Sequence, residues 1–373
     1  MTNSPIPTKV RAPVTRAGAD RYLLVMSLSF AASVVLTRLF LEVTGYPQLG
    51  SGELHIAHVL WGGLFLFAAT LFALIMSNRW VFPLAAVLGG IGVGLFIDEV
   101  GKFITASNDY FHPAAAPIIY ATFLLTVFLY LRVRRPKDSN QRTELYWALT
   151  TLEEVLDHNL EQFEYRQIQA RLSRVSAETK NPVYKSLATH LLEFLHSEYV
   201  EIVSVEPTWW ARFFERLQRW NETWLTRARL KAVLVGGLLA LGGLELRDLV
   251  QLLSSVQDPG QFKAMVSMWT ELGNIDSIAS IFWFVSRVVV DGSVGFLLIL
   301  SSLLMAIRRD RAAVSLAVLT LLFALTAANL LAFYVDQFST IVTALIQFLL
   351  LITALLLQQR LEESPDQEEQ ISA

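Results

Sequence analysis

The chain has 373 residues, 54% of them hydrophobic and only 17% charged, with a net charge of −3. Soluble domains carry about a quarter charged residues, so this composition marks a membrane protein, and the small net charge excludes a nucleic-acid partner. The absence of cysteine excludes disulfides, thiolate metal sites, thiol nucleophiles and covalent haem attachment.

A basic segment, 1–21, with Lys9, Arg11, Arg16 and Arg21, precedes the first apolar run. A bilayer core needs about 20 apolar residues per crossing. Runs of that length fall at 22–43, 54–76, 80–98 and 114–132, and again at 231–252, 280–306, 312–334 and 338–358. The expected fold is an all-α polytopic membrane protein of eight spans, in two halves of four (22–132 and 231–358). The first run is too long, and lacks the small-residue site, for a cleaved signal peptide.

Lysine and arginine set the orientation. They crowd the N-terminus, Arg79, "RVRRPK" (132–137) and "RRDR" (308–311), whereas the opposite loops hold only Lys102 and Lys263. This places both termini in the cytoplasm of a bacterial cell whose inner membrane the chain spans. The acidic tail, 359–373, and the stretch 133–206 lie on the same side.

The central stretch reads as a helical hairpin. Leu145, Leu149, Leu152, Leu156 and Phe163 follow three- and four-residue spacing, the stripe of one amphipathic helix, and a second helix follows Asn181-Pro182. Next comes "PTWWARFFERLQRWNETWLTRARLK". Its Trp209, Trp210, Phe213, Phe214, Leu217, Trp220 and Trp224 share one arc opposite Arg212, Arg216 and Arg219. Residues 207–230 are therefore expected to form a helix lying in the inner interface, with packing against the hairpin as the competing arrangement.

Charges inside spans are costly and concentrate where function is. Arg38 closes the first span, His55 and His58 open the second, and Asp98, Glu99 and Lys102 end the third, followed by Asp109. Arg247 and Asp248 lie in the fifth span, with Arg287 and Asp291 in the sixth. By count they fall in the outer half of the membrane, which predicts a polar chamber open to the outside. Pairs four apart, such as Arg38–Glu42, Asp98–Lys102 and Arg287–Asp291, share a helix face and can neutralise one another.

Three functional readings stay open. The charged set binds or transports a small polar ligand or ion, linked to protons, with the arginines holding an anionic group and the carboxylates carrying the proton or cation. Alternatively, His55, His58 and Asp98 ligate zinc, manganese or iron, and Glu99 serves an enzyme as general base. In the third, the chain is a sensor or assembly protein whose central domain meets a cytoplasmic partner. No nucleotide, zincin or serine-nucleophile motif occurs.

Overall fold

The structure is a computed structural model that describes residues 12–44, 57–110, 112–134, 140–203, 226–255, 260, 278–336 and 340–362. The described residues form helices without a named strand: α1 (Ala19–Thr44), α2 (His58–Ile75), α3 (Val81–Asp98), α4 (Val100–Ile104), α5 (Ala115–Arg134), α6 (Gln141–Leu156), α7 (Gln162–Glu178) and α8 (Pro182–Leu195). After these come α9 (Arg227–Ser255), α10 (Ile278–Ala306), α11 (Asp310–Phe323), a π-helical turn Ala324–Ala328, α12 (Asn329–Asp336) and α13 (Thr340–Glu362). The expected interfacial helix falls almost entirely outside the described residues.

Seven of these helical segments are long and apolar enough to cross a membrane, and the chain is a multi-pass helical membrane protein. They match seven of the eight expected spans. The remaining one, α9, is an uninterrupted helix of 29 residues. It carries Arg227, Arg229, Lys231, Glu245, Arg247 and Asp248, too much charge to stand with the seven on composition alone.

The chain forms two compact units. The first holds residues 1–98 and 125–208, and the second holds 99–124 and 209–373, so the boundary falls within α5. In the first unit α3 packs on both α1 and α2 because its glycines let backbones touch. A Cβ on Gly90 would run into the Met26 carbonyl oxygen and Ser29, and one on Gly94 would meet Ser33. Across the helix, a Cβ on Gly92 would meet Leu66 and the Gly62 carbonyl at 2.8–2.9 Å. Such small-residue faces replace the hydrophobic effect that lipid removes. In the second unit α9 and α10 cross with Gly242 against Gly295. A core of Leu234, Leu238, Leu298, Ala317, Leu321, Ala354 and Leu357 fills that bundle.

The central domain has three helices where the sequence suggests two. The stretch expected as one helix breaks after Leu156 in a Schellman motif. His158 takes the left-handed conformation at φ 49°. Its amide and that of Asn159 donate to the Val155 and Glu154 carbonyls at 3.3 and 2.9 Å. The break turns the expected stripe: Leu149, Leu156 and Phe163 are exposed, and Leu145, Ala148, Leu160, Ile168, Leu172 and Leu195 form the core. Asn140 and Asn181 cap α6 and α8, and a Glu161–Glu164 capping box opens α7.

This domain docks on the membrane part of its own unit. Arg79, in the turn between α2 and α3, bridges Glu154 and Glu164 at 3.0 and 2.9 Å. Asn78 donates to Asp157 at 3.0 Å. The segment before α1 is held as well, its Ala12 and Thr15 carbonyls accepting from Arg142 and Trp147 at 2.8 and 2.7 Å. Burial lowers the proton affinity of Arg79, but the hydrogen bond and charge of Glu164, helped by Glu154, outweigh it and raise the pKa above the ordinary value. We expect Arg79→Ala to weaken docking by roughly 1 kcal/mol, the scale of partly exposed ion pairs. Limited proteolysis of α6 and α7 would report it, and wild-type protein in high salt should move the same way.

Candidate functional site

The first unit brings three sequence-predicted residues together at one end of the α1–α3 bundle. Asp98, the last residue of α3, is completely buried. Its Oδ1 accepts from Arg38 Nε of α1 at 2.6 Å, and its main-chain carbonyl accepts from Arg38 Nη2 at 3.1 Å. Its Oδ2 meets Nε2 of His58, the first residue of α2, at 3.0 Å. Arg38 is only 9% exposed, whereas the His58 side chain keeps 21% of its surface. The imidazole is thus the open side of the cluster.

The geometry follows from where the helices start and stop. The α2–α3 turn is short, so the two helices run antiparallel, and the first residue of one meets the last of the other. Gly62, one turn into α2 from His58, lies against the Gly92 carbonyl and the Phe96 amide of α3. That close approach carries His58 to hydrogen-bonding distance of Asp98.

Spacing along one helix does not reveal these contacts. Arg38 reaches a carboxylate 60 residues away, and the Glu42 side chain lies outside the described residues. Asp98 is not the partner of Lys102. Lys102 Nζ bonds Glu99 Oε1 at 3.0 Å within the second unit and lies 5.3 Å from the Tyr110 ring centroid. Glu99 is 1% exposed. Gly101 sits against the Asp109 and Tyr110 carbonyls, and the Asp109 amide donates to Thr105 Oγ1 at 2.8 Å. The Arg287–Asp291 pairing is present, at 3.1 Å. Arg247 and Asp248 are exposed.

Of the charges expected to share one chamber, Arg38, His58 and Asp98 belong to the first unit and the others described to the second. The metal set is present only in part, because His55 lies outside the described residues. Both carboxylate oxygens of Asp98 are engaged by Arg38 and His58. Among the described residues no group of three or more His, Asp or Glu side chains is placed to hold a metal ion.

In the second unit a second buried polar group joins Glu245, a charge of the fifth span, to two amides that charge and spacing do not single out. Asn329 and Gln347 are 2% and 3% exposed. Asn329 Nδ2 donates to Gln347 Oε1 at 2.8 Å, and Gln347 Nε2 donates to Glu245 Oε1 at 3.3 Å. The Tyr120 hydroxyl donates to the Leu325 carbonyl of the π-helical turn at 2.6 Å, and its ring stacks at 4.5 Å on Phe333. The available signal was a lone Asn and a lone Gln inside otherwise apolar spans, where hydrogen-bonding side chains join helices.

Set against known proteins, the chain matches no family description, no curated protein and no solved structure.

Proposed function

We propose that the chain is a bacterial inner-membrane protein that binds a small anionic ligand together with a proton at the Arg38–His58–Asp98 cluster. It crosses the membrane eight times, α9 included, in two groups of four spans. Both termini and the central domain lie in the cytoplasm, as the basic loops require. The contacts of the α2–α3 turn and the segment before α1 with the central domain support this, because they bring three elements assigned to one side together.

The observation that carries the reading is the fully buried Asp98 held between Arg38 and His58. With Arg38 charged and His58 neutral, the cluster sums to zero. A proton on His58 makes it +1, and a single negative group beside the partly exposed imidazole restores neutrality. Histidine is the side chain whose ordinary titration lies near physiological pH, and intramembrane charges of this kind line ligand and proton paths.

Proton and anion should then bind as a pair. Titration of the detergent-purified protein with chloride, acetate and formate, at about pH 6 and about pH 8, should show tighter binding at the lower pH. Trp61, one turn along α2 from His58 and half exposed, supplies a fluorescence signal, with Trp61→Phe as the control. His58→Gln should abolish the pH dependence. Binding that is equal at both pH values, or unchanged in His58→Gln, would refute the pairing.

A second reading, signalling to the cytoplasmic domain, is favoured by one specific feature. The α2–α3 hairpin holds the charged cluster at its open end and, at its turn, Asn78 and Arg79, which grip α6 and α7. A rigid 18-residue helix, about 27 Å long, joins the two. Ligand-driven movement of His58 has a direct mechanical path to the domain.

A further inference from the structure

We propose that Glu245, at the end of a buried side-chain path through Tyr120, Asn329 and Gln347, binds a monovalent cation, either a proton or sodium. This site lies in the second unit and stands independently of the Arg38–His58–Asp98 cluster.

The path is built from four elements. Tyr120 of α5 is tied to the π-helical turn through the Leu325 carbonyl, and the Asn329 side chain also bonds its phenol. Asn329 donates to Gln347 of α13, which donates to Glu245 of α9. Both amides thus point their donors toward the carboxylate. Only one of its oxygens is served: Glu245 Oε2 is buried and has no hydrogen-bond partner among the described residues. A π-helical turn bonds i to i+5, changing which carbonyls the helix uses, and such turns gather at functional sites.

The charge balance points the same way. The charges that act on Glu245 are Asp248 of α9 itself and Asp291 of α10, the latter paired with Arg287, while Arg247 is exposed. The elements that reach it from the other side present Gln347 and Asn329, which do not titrate. With Asp291 paired to Arg287, the other charge near Glu245 is Asp248, of the same sign, so the carboxylate has a negative charge in excess around it. Arg287 is already paired with Asp291 at 3.1 Å. A carboxylate oxygen in hydrocarbon without a donor or counter-ion is costly. One cation on Oε2 supplies both the missing partner and the missing charge.

Thermal unfolding of the full-length protein in detergent tests this. Sodium chloride is exchanged for choline chloride at constant ionic strength, over about pH 5 to about pH 9. A ligand that binds only the folded state raises Tm. Wild type should gain several degrees either with sodium or, in choline, with acidification. Glu245→Gln, which keeps the shape without the charge, should respond to neither beyond the background from other groups. Glu193→Gln, an exposed carboxylate of α8 in the first unit, should respond like wild type. Gln347→Leu should weaken the apparent affinity about fivefold, the equivalent of one hydrogen bond. A sodium response identifies sodium as the cation, and a response to acid alone identifies the proton. If wild type is indifferent to both, or Glu245→Gln responds as wild type does, the proposal is wrong.

Discussion

Asp98→Ala should lower the stability of the first unit by about 3–5 kcal/mol, because it takes from the buried Arg38 the carboxylate that its Nε bonds. Arg38 is 9% exposed and directs both Nε and Nη2 at Asp98. Removing the carboxylate takes the acceptor from Arg38 Nε, leaves Nη2 its main-chain carbonyl, and takes the Oδ2 contact from His58 as well. Denaturant unfolding in micelles, followed by circular dichroism, measures the loss. The pair itself is worth much less than its breakage suggests. An Arg38→Leu/Asp98→Leu double variant should recover most of the stability, since replacing a buried ion pair by packed apolar side chains is often close to neutral. Such a variant would be stable yet unable to bind ligand. That outcome separates a functional charge pair from a structural one.

Gly90→Val should cost about 3 kcal/mol, the upper range for overpacking. A Cβ at Gly90 already collides with the Met26 carbonyl oxygen, and its next neighbours are Ser29 Cβ and the Phe30 amide of α1. Two of these three atoms are backbone, so no rotamer change relieves the clash and α1 must move away from α3. Arg38 rides on α1, so its hold on Asp98 should loosen as well. Gly89→Ala is the control: the added Cβ meets nothing within 4 Å, and stability should hold or improve slightly through helix propensity. The pair can be compared by thermal aggregation of solubilised protein. A similar loss in both variants would mean that α1 and α3 do not meet through Gly90.

The spans were legible because the bilayer imposes a length and a composition that no loop imitates. Their ends were legible to within a few residues for the same reason. Pairing across helices was not. Spacing along one helix says nothing of the carboxylate 60 residues on that Arg38 bonds. The contact depends on α3 meeting α1 through Gly90 and Gly94, which sequence periodicity does not reveal. The central domain misled for a local reason. Helix ends are read from glycine and proline, and α6 ends instead with His158 in the left-handed conformation. Without a visible stop, the apolar spacing ran on through the break and put Leu156 and Phe163 on the buried face. Tyr120, Asn329 and Gln347 were passed over because attention went to formal charges. Uncharged amides are quieter in hydropathy, yet Asn329 and Gln347 are almost fully buried here.

The most direct measurement of the central claim is amide hydrogen exchange of the purified protein at about pH 6 and about pH 8, corrected for intrinsic rates. Wild type and His58→Gln are compared with and without a bound small anion. A proton- and anion-responsive cluster at one end of the α2–α3 hairpin predicts a pH-dependent change in protection at the ends of α1–α3. The same change should appear in α6 and α7 where they meet Asn78 and Arg79, and His58→Gln should abolish both. An identical pH response in wild type and His58→Gln would contradict it and leave Arg38, His58 and Asp98 as structural glue.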